Sequence, residues 1–144
     1  MGENLDPNWL GDEDEEVYRE NIIDHYKNPR NFKELNPHTV KKREYNPLCG
    51  DDVTLFIDTD SRGKVKEASF KGNGCAISVA ASSMFTDYIK GKTLDEVKNM
   101  KREEIFELLG IQLGVVRMKC GLLCLKAAVK GIQENEVNGS EVKK

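Results

Sequence analysis

A chain of 144 residues is long enough for one compact domain and too short for two ordinary ones. At 38% hydrophobic it can bury a core, and at 33% charged it keeps a well-solvated surface. Its 22 Lys+Arg against 25 Asp+Glu leave a net charge of -3, without the basic field that nucleic-acid binding needs. No apolar run approaches the roughly 20 residues of a membrane span. The opening Met1-Gly2-Glu3-Asn4-Leu5-Asp6 has no basic stretch leading into an apolar one, and Asp6 stands where a myristoylation motif wants Ser or Thr. The expectation is a soluble, cytoplasmic protein that binds neither nucleic acid nor membrane.

Residues 1–16 carry Asp6, Asp12, Glu13, Asp14, Glu15 and Glu16 with almost no periodic apolar pattern, and read as a solvated acidic arm. Tyr18, Ile22 and Tyr26 recur every fourth residue, with Ile23 beside them, which predicts a helix over about 15–27. Asn28-Pro29-Arg30-Asn31 stops it. Thr39 to Tyr45 reads as a charged edge strand. In Asp52 to Asp58, Val53, Leu55 and Ile57 take one face while Thr54 and Phe56 take the other. After the turn Asp60-Ser61-Arg62-Gly63, Val65 to Phe70 returns as the next strand.

Beyond Phe70 the period becomes helical. Ile77, Ala80, Ala81, Met84, Phe85 and Tyr88 form a broad apolar face ending before Gly91. Thr93-Leu94-Asp95-Glu96 is a capping box opening a short helix, and Glu103 to Leu109 is another, closed by Gly110. The last helix is expected over Val116 to Gln133, with Met118, Leu122, Leu125, Val129 and Ile132 as its stripe. Helix, strands, then helices predict α+β: a small antiparallel sheet of about three strands with helices on one face. The organisation is an arm at 1–16, a domain at 17–133 and a polar tail at 134–144.

Four cysteines, at 49, 75, 120 and 124, could be metal ligands, catalytic thiols or buried small hydrophobes. Cys49 sits in a turn ahead of a strand, Cys75 between a strand and a helix, and Cys120 and Cys124 open the last helix. Cys49, Cys75 and Cys120 each lie beside a glycine (Gly50, Gly74, Gly121), which allows close backbone approach. By helical periodicity Cys120 falls off the Met118/Leu122/Leu125 stripe, whereas Cys124 reads better as helix packing. Asp51 follows Cys49 across one glycine and can point to the same side. Three thiolates and a carboxylate would complete a site for zinc or for an edge of an iron–sulfur cluster, and the hard oxygen would make it labile. At a helix N-terminus, Cys75 also gains from the dipole and free N–H groups that favour thiolate. The competing reading of Asp51 is a surface acid beside Asp52.

Tyr18-Arg19-Glu20, Asp24-His25-Tyr26 and Asn28-Pro29-Arg30-Asn31-Phe32 resemble the opening helix of the IscU/SufU iron–sulfur scaffold proteins, the NifU N-terminal domain family. Asn46-Pro47-Leu48-Cys49-Gly50-Asp51 resembles the family's first ligand loop. Phe70-Lys71-Gly72-Asn73-Gly74-Cys75-Ala76-Ile77-Ser78, with Ala80-Ala81-Ser82-Ser83, resembles the second, and Arg117-Met118-Lys119-Cys120 the third. The resemblance implies a SufE/NifU-like α+β fold and assembly of a transient 2Fe-2S cluster, with zinc or iron able to occupy the same ligands. It carries Cys49, Asp51, Cys75 and Cys120 over as the ligand set, the three cysteines as persulfide acceptors and Asp51 as the residue of cluster release. It implies a pyridoxal-phosphate (PLP)-dependent cysteine desulfurase as sulfur donor, with Tyr18 and Tyr26 of the first helix near the docking surface. Apo iron–sulfur proteins, a ferredoxin among them, are the implied acceptors, and the chain is expected as a monomer or weak homo-oligomer.

The departures from the family pattern bear on mechanism. Lys119 stands before the third cysteine, as in the SufU branch, where the IscU branch has His. The insertion usual in SufU-type chains between the second and third cysteines is missing. Leu113-Gly114-Val115-Val116-Arg117 replaces the Leu-Pro-Pro-Val-Lys motif read by a DnaK-type chaperone. Cys124 lies outside the usual ligand set, one helical turn from Cys120. The leading expectation is a non-enzymatic scaffold that builds and hands on a 2Fe-2S cluster. The alternative is a zinc-dependent sulfur acceptor, a sulfurtransferase serving a desulfurase; the third is a zinc-stabilised adaptor without transfer chemistry.

Overall fold

The computed structural model describes residues 19–47, 50–110 and 114–142, with the side chains of 115, 116 and 138–142 left out. Residues 19–27 are helical (α1). Three strands follow, β1 (Val40–Asn46), β2 (Asp51–Thr59) and β3 (Val65–Asn73), then α2 (Ala76–Tyr88), α3 (Leu94–Lys98), α4 (Arg102–Leu109) and α5 (Val115–Val142). The strands form one antiparallel sheet in the order β1-β2-β3. The order and types match the α+β expectation, and β1 is an edge strand, as its charges suggest.

The alternation in β2 works as a period of two requires. Val53, Leu55 and Ile57 turn towards the helices and are buried. Phe56 points the other way yet is only 3% exposed. The ring of His38 meets it edge-on at 5.7 Å, and the Lys41 ammonium lies 5.5 Å from its centroid. Two local neighbours therefore cover an aromatic ring on the face that carries no helix among the described residues.

Local chemistry sets the helix ends. Thr93 and Glu96 close the expected capping box of α3, with Glu96 N–H donating to Thr93 Oγ1 (3.1 Å) and Thr93 N–H to Glu96 Oε1 (2.9 Å). Gly110, in the left-handed region at φ 74°, ends α4. After α1, Asn31 takes φ 62° and ties three elements together. Its side-chain amide donates to Thr86 Oγ1 (3.0 Å) and Asp87 Oδ1 (2.9 Å) on α2, and its carbonyl accepts from Phe70 N–H on β3 (2.9 Å).

The last helix departs from expectation in face and in length. Its core side is made of small residues, Cys120, Cys124, Ala127 and Ala128, with Leu123 and Ile132, all buried. Of the expected stripe, Leu125 and Ile132 are buried, whereas Met118, Leu122 and Val129 lie on the outer flank; Met118 is 37% exposed. The reason is close approach: a Cβ on Gly131 would stand 2.8 Å from Val40 Cγ1 and 2.9 Å from Lys42 Cβ. Small side chains let α5 lie down on β1 and against α2, and Met118, Leu122 and Val129 take its border. The helix also runs past Gln133 to Val142. Lys42 reaches Glu134 (2.6 Å) and Lys98 reaches Glu136 (2.9 Å), so residues assigned to a polar tail are helical and paired.

Candidate metal centre

One end of the fold gathers the chemistry. Gly50, at φ 74°, turns the chain into β2, and its N–H donates to Asn46 O (2.8 Å). Asp51 then opens the central strand with its side chain turned inward, only 2% exposed. Cys75 is the N-cap residue of α2, and its thiol sulfur accepts from Ser78 N–H at 3.5 Å. A sulfur stands where a cap usually offers a hydroxyl or carboxylate oxygen. Cys120 is one turn and a half into α5 and 1% exposed.

Asp51 accepts from Cys75 twice: from its backbone N–H at Oδ1 (3.1 Å) and from its thiol at Oδ2 (3.7 Å). Gly74 packs underneath; a Cβ there would meet Ser78 Oγ at 2.8 Å and Asp51 Cγ at 3.3 Å. One ligand atom each from Asp51, Cys75 and Cys120 falls within 4.8 Å of the other two. Donors around a tetrahedral zinc ion lie roughly 3.5–3.8 Å apart, given Zn–S of about 2.3 Å and Zn–O of about 2.0–2.2 Å. The donor set therefore fits one soft-to-borderline metal ion with a small contraction, and two thiols with a carboxylate suit zinc or iron.

Of the four expected site residues, Asp51, Cys75 and Cys120 come together from a strand, a helix N-terminus and a helix flank. Cys49 lies outside the described residues, as do Leu113 and Tyr18. Cys120 lies off the Met118/Leu122 flank, on the buried side of α5, where its sulfur joins the group with Asp51 and Cys75. Cys124 stands outside the group of ligand atoms and is buried. Desolvation pushes its thiol up to about 12, and its sulfur hydrogen-bonds Gly121 O at 3.7 Å. Such a thiol stays protonated and packs as a small hydrophobe. Sequence reading missed Ser78, although Cys75-Ala76-Ile77-Ser78 has the N-cap to N3 spacing that places a backbone donor on the sulfur.

Comparison with known proteins puts this geometry in context. The family model described as NifU-like N terminal domain matches residues 17–140. The chain is 37% identical over 124 residues to the iron-sulfur cluster assembly scaffold protein IscU of Haemophilus influenzae, covering 78% of this chain and 93% of that one. It is 36% identical over 137 residues to the zinc-dependent sulfurtransferase SufU of Bacillus subtilis, covering 83% and 92%. A crystal structure of a putative SUF-system scaffold protein from Fervidobacterium islandicum superposes with a TM-score of 0.66 at 26% identity, over 81% of this chain and 97% of that one. Among the described residues no helix is long and apolar enough to cross a membrane.

Proposed function

The chain belongs to the NifU-like N-terminal domain family, and from that premise we infer that it is a scaffold on which an iron–sulfur cluster is built and from which it is passed on. The observation that carries the reading is the convergence of Asp51, Cys75 and Cys120 within 4.8 Å, from three separate elements. Cys49, two residues ahead of Asp51 in the chain, supplies the third thiolate. The cargo is a 2Fe-2S cluster, held by these four residues and exchanged with apo-proteins such as a ferredoxin. Its sulfur comes from a PLP-dependent cysteine desulfurase in a reducing, cytoplasmic setting that keeps the thiols free.

In this role the protein's own groups divide the work. The thiolates of Cys49, Cys75 and Cys120 hold soft metal strongly, while the Asp51 oxygen holds it weakly. Before loading, the Asp51 carboxylate accepts the Cys75 thiol hydrogen bond, so it is placed to take the proton released when that sulfur is metallated. The Ser78 N–H then remains to stabilise the sulfur anion.

A second reading has a specific observation behind it: Lys119 stands exposed immediately before Cys120, on a chain 36% identical to a zinc-dependent sulfurtransferase. There a cysteine thiolate attacks the terminal sulfur of a desulfurase persulfide, and the desulfurase cysteine leaves as thiolate. Anaerobic incubation with iron, cysteine and a desulfurase separates the two. Cluster absorption bands and transfer to apo-ferredoxin support the scaffold. A zinc-loaded chain that forms a persulfide and accelerates the desulfurase without holding a cluster supports the sulfurtransferase.

A further inference from the structure

Along α5, Met118, Leu122, Leu125, Val129 and Ile132 repeat at alternating spacings of four and three residues, the apolar seam of a helix that packs against another helix. The fold uses only half of that seam. Leu125 and Ile132 turn into the domain and are buried, whereas Met118, Leu122 and Val129 stay on the flank. There Leu122, Leu125 and Val129 make the apolar floor of a groove of about 730 Å³ between α5 and the end of β1, with Tyr45 at its side. Lys119 and Lys126, seven residues apart, border the seam at the position where paired helices carry the charges that choose a partner.

The rim sets the sign of that partner. Lys130 and Arg102 join Lys119 and Lys126 around the groove. Lys126 and Lys130 share the one carboxylate of Glu44, at 3.7 Å and 3.6 Å, and Arg102 meets Glu103 at 3.5 Å. Four cations therefore face two carboxylates, a local positive excess on a chain whose net charge is -3. The groove is concave, walled by α5 on one side and by Tyr45 and Pro47 on the other, so a rod fits it and a flat bilayer does not. From Met118 to Val129 the seam is about 16 Å long, or about three turns of a partner helix.

We propose that this groove docks an acidic amphipathic helix of a partner protein. Its apolar face covers Leu122, Leu125 and Val129, and its Asp or Glu side chains lie against Lys119, Lys126 and Arg102. Apolar burial supplies the affinity, and the charges set partner choice and the rate of encounter. One end of the groove is Asn46-Pro47 and Lys119. Asn46 pairs with Asp51 across the strands, and Lys119 adjoins Cys120, so a helix seated here holds its parent protein against the metal-centre end of the fold. That the parent protein exchanges cargo at that centre rests on the scaffold reading; the groove does not.

The probes are three fluorescent, side-chain-stapled helical peptides with leucine at both seam positions of each heptad and Glu, Gln or Lys at the flanking ones. Each is titrated against the full-length reduced protein by anisotropy, at low and at high salt. The Glu peptide should bind about tenfold more tightly than the Gln peptide, and the margin should shrink in salt. The Lys peptide should bind more weakly than the Gln peptide. Lys119→Gln with Arg102→Gln should erase the margin, and Leu122→Ser with Val129→Ser should abolish binding, each with far-UV circular dichroism unchanged. Lys119→Glu with Arg102→Glu should reverse the order and favour the Lys peptide, a gain that a misfolded variant cannot give. Absence of binding by the Glu peptide overturns the proposal, as do equal affinities for Glu and Gln peptides or indifference to the groove variants. Self-association that is lost in Leu122→Ser with Val129→Ser overturns it in favour of a second copy. Binding to phosphatidylserine vesicles without peptide binding overturns it in favour of a membrane. The readout needs neither metal nor desulfurase, so its failure is separate from failure of the scaffold reading.

Discussion

The carboxylate of Asp51 accepts two hydrogen bonds from one residue, Cys75: the backbone N–H on Oδ1 at 3.1 Å and the thiol on Oδ2 at 3.7 Å. That pairing joins the start of the central strand to the N-terminus of α2. It explains how a 2%-exposed acid is tolerated, since both oxygens are satisfied by groups that cannot move away. It also holds the carboxylate beside the sulfur that a metal would take.

Because the three gathered residues come from β2, α2 and α5, a metal bound among them links all three elements. Removing it with a chelator should lower the melting temperature of the zinc-loaded protein. Free metal at a hundred times its dissociation constant stabilises the folded state by about 2.7 kcal/mol. Identical thermal transitions with and without zinc would count against a convergent site.

The two cysteines of α5 should behave differently. Cys120→Ser should lower zinc affinity with little effect on the metal-free fold. Cys124→Ala should leave the zinc content per chain unchanged and cost on the order of 1 kcal/mol of stability, as a small core truncation does. Metal analysis and urea titration of both variants check this. Loss of stoichiometric zinc in Cys124→Ala would make Cys124 a ligand.

Gly131→Ala tests the close seating of α5. Alanine gains up to about 1 kcal/mol of helix propensity over glycine. Its Cβ, however, would sit 2.8 Å from Val40 Cγ1 and 2.9 Å from Lys42 Cβ, and overpacking of that kind costs about 1–3 kcal/mol. The clash should win, lowering the urea midpoint and, by shifting α5, the zinc affinity. A variant more stable than the wild type would show that β1 yields.

These examples show which parts of the fold can be read from residue order. The strands and short helices follow from local rules: alternation in β2, the Thr93/Glu96 box, the glycine after Leu109. Cys75 at a helix N-terminus was legible from the strand, glycine and helix signals around it, whereas its place beside Asp51 followed only from the family resemblance, the residues themselves pairing Asp51 with Cys49. The face of α5 was not, because a helical wheel weighs side-chain size. Here the sheet demanded small residues at the contact and left Met118 at the rim. Its length was hidden for a different reason, since Glu134 and Glu136 find partners at Lys42 and Lys98, far away in sequence. Phe56 is buried by His38 and Lys41, which no alternation pattern announces.

His25 should give stability a pH dependence. Burial, reinforced by the Arg30 charge, holds its imidazole below the ordinary value near 6.5. The unfolded chain therefore binds the proton more readily than the folded one. The contribution of His25 is complete above about 6.5 and is lost as pH falls through the lowered folded value. In the neutral form the Ser83 hydroxyl, which accepts from Arg30 N–H, donates to His25 Nδ1. Urea midpoints measured from neutral to mildly acidic pH should fall, and His25→Gln should flatten that slope. An unchanged slope in the variant would assign the effect to other groups.

Asp51→Ala is the sharpest test of the scaffold reading. The substitution removes a ligand, so coordination number alone predicts faster cluster loss. It also removes the one hard, weakly held donor, and with it the position through which water or an acceptor's thiolate can enter the metal's coordination sphere. On the scaffold reading, Cys49, Cys75 and Cys120 are retained as three thiolates for the cluster, and the Ser78 N–H still donates to the Cys75 sulfur. Exit rather than affinity should therefore dominate. Asp51→Ala is expected to keep its 2Fe-2S absorption longer in air and to pass the cluster to apo-ferredoxin more slowly than wild type. Asp51→Asn, which can still accept from Cys75 N–H through its amide oxygen, controls for loss of the hydrogen bond that seats Cys75. Faster cluster loss in Asp51→Ala would make Asp51 a retaining ligand, and unchanged transfer in both variants would reduce it to a structural acid that orients the α2 N-terminus.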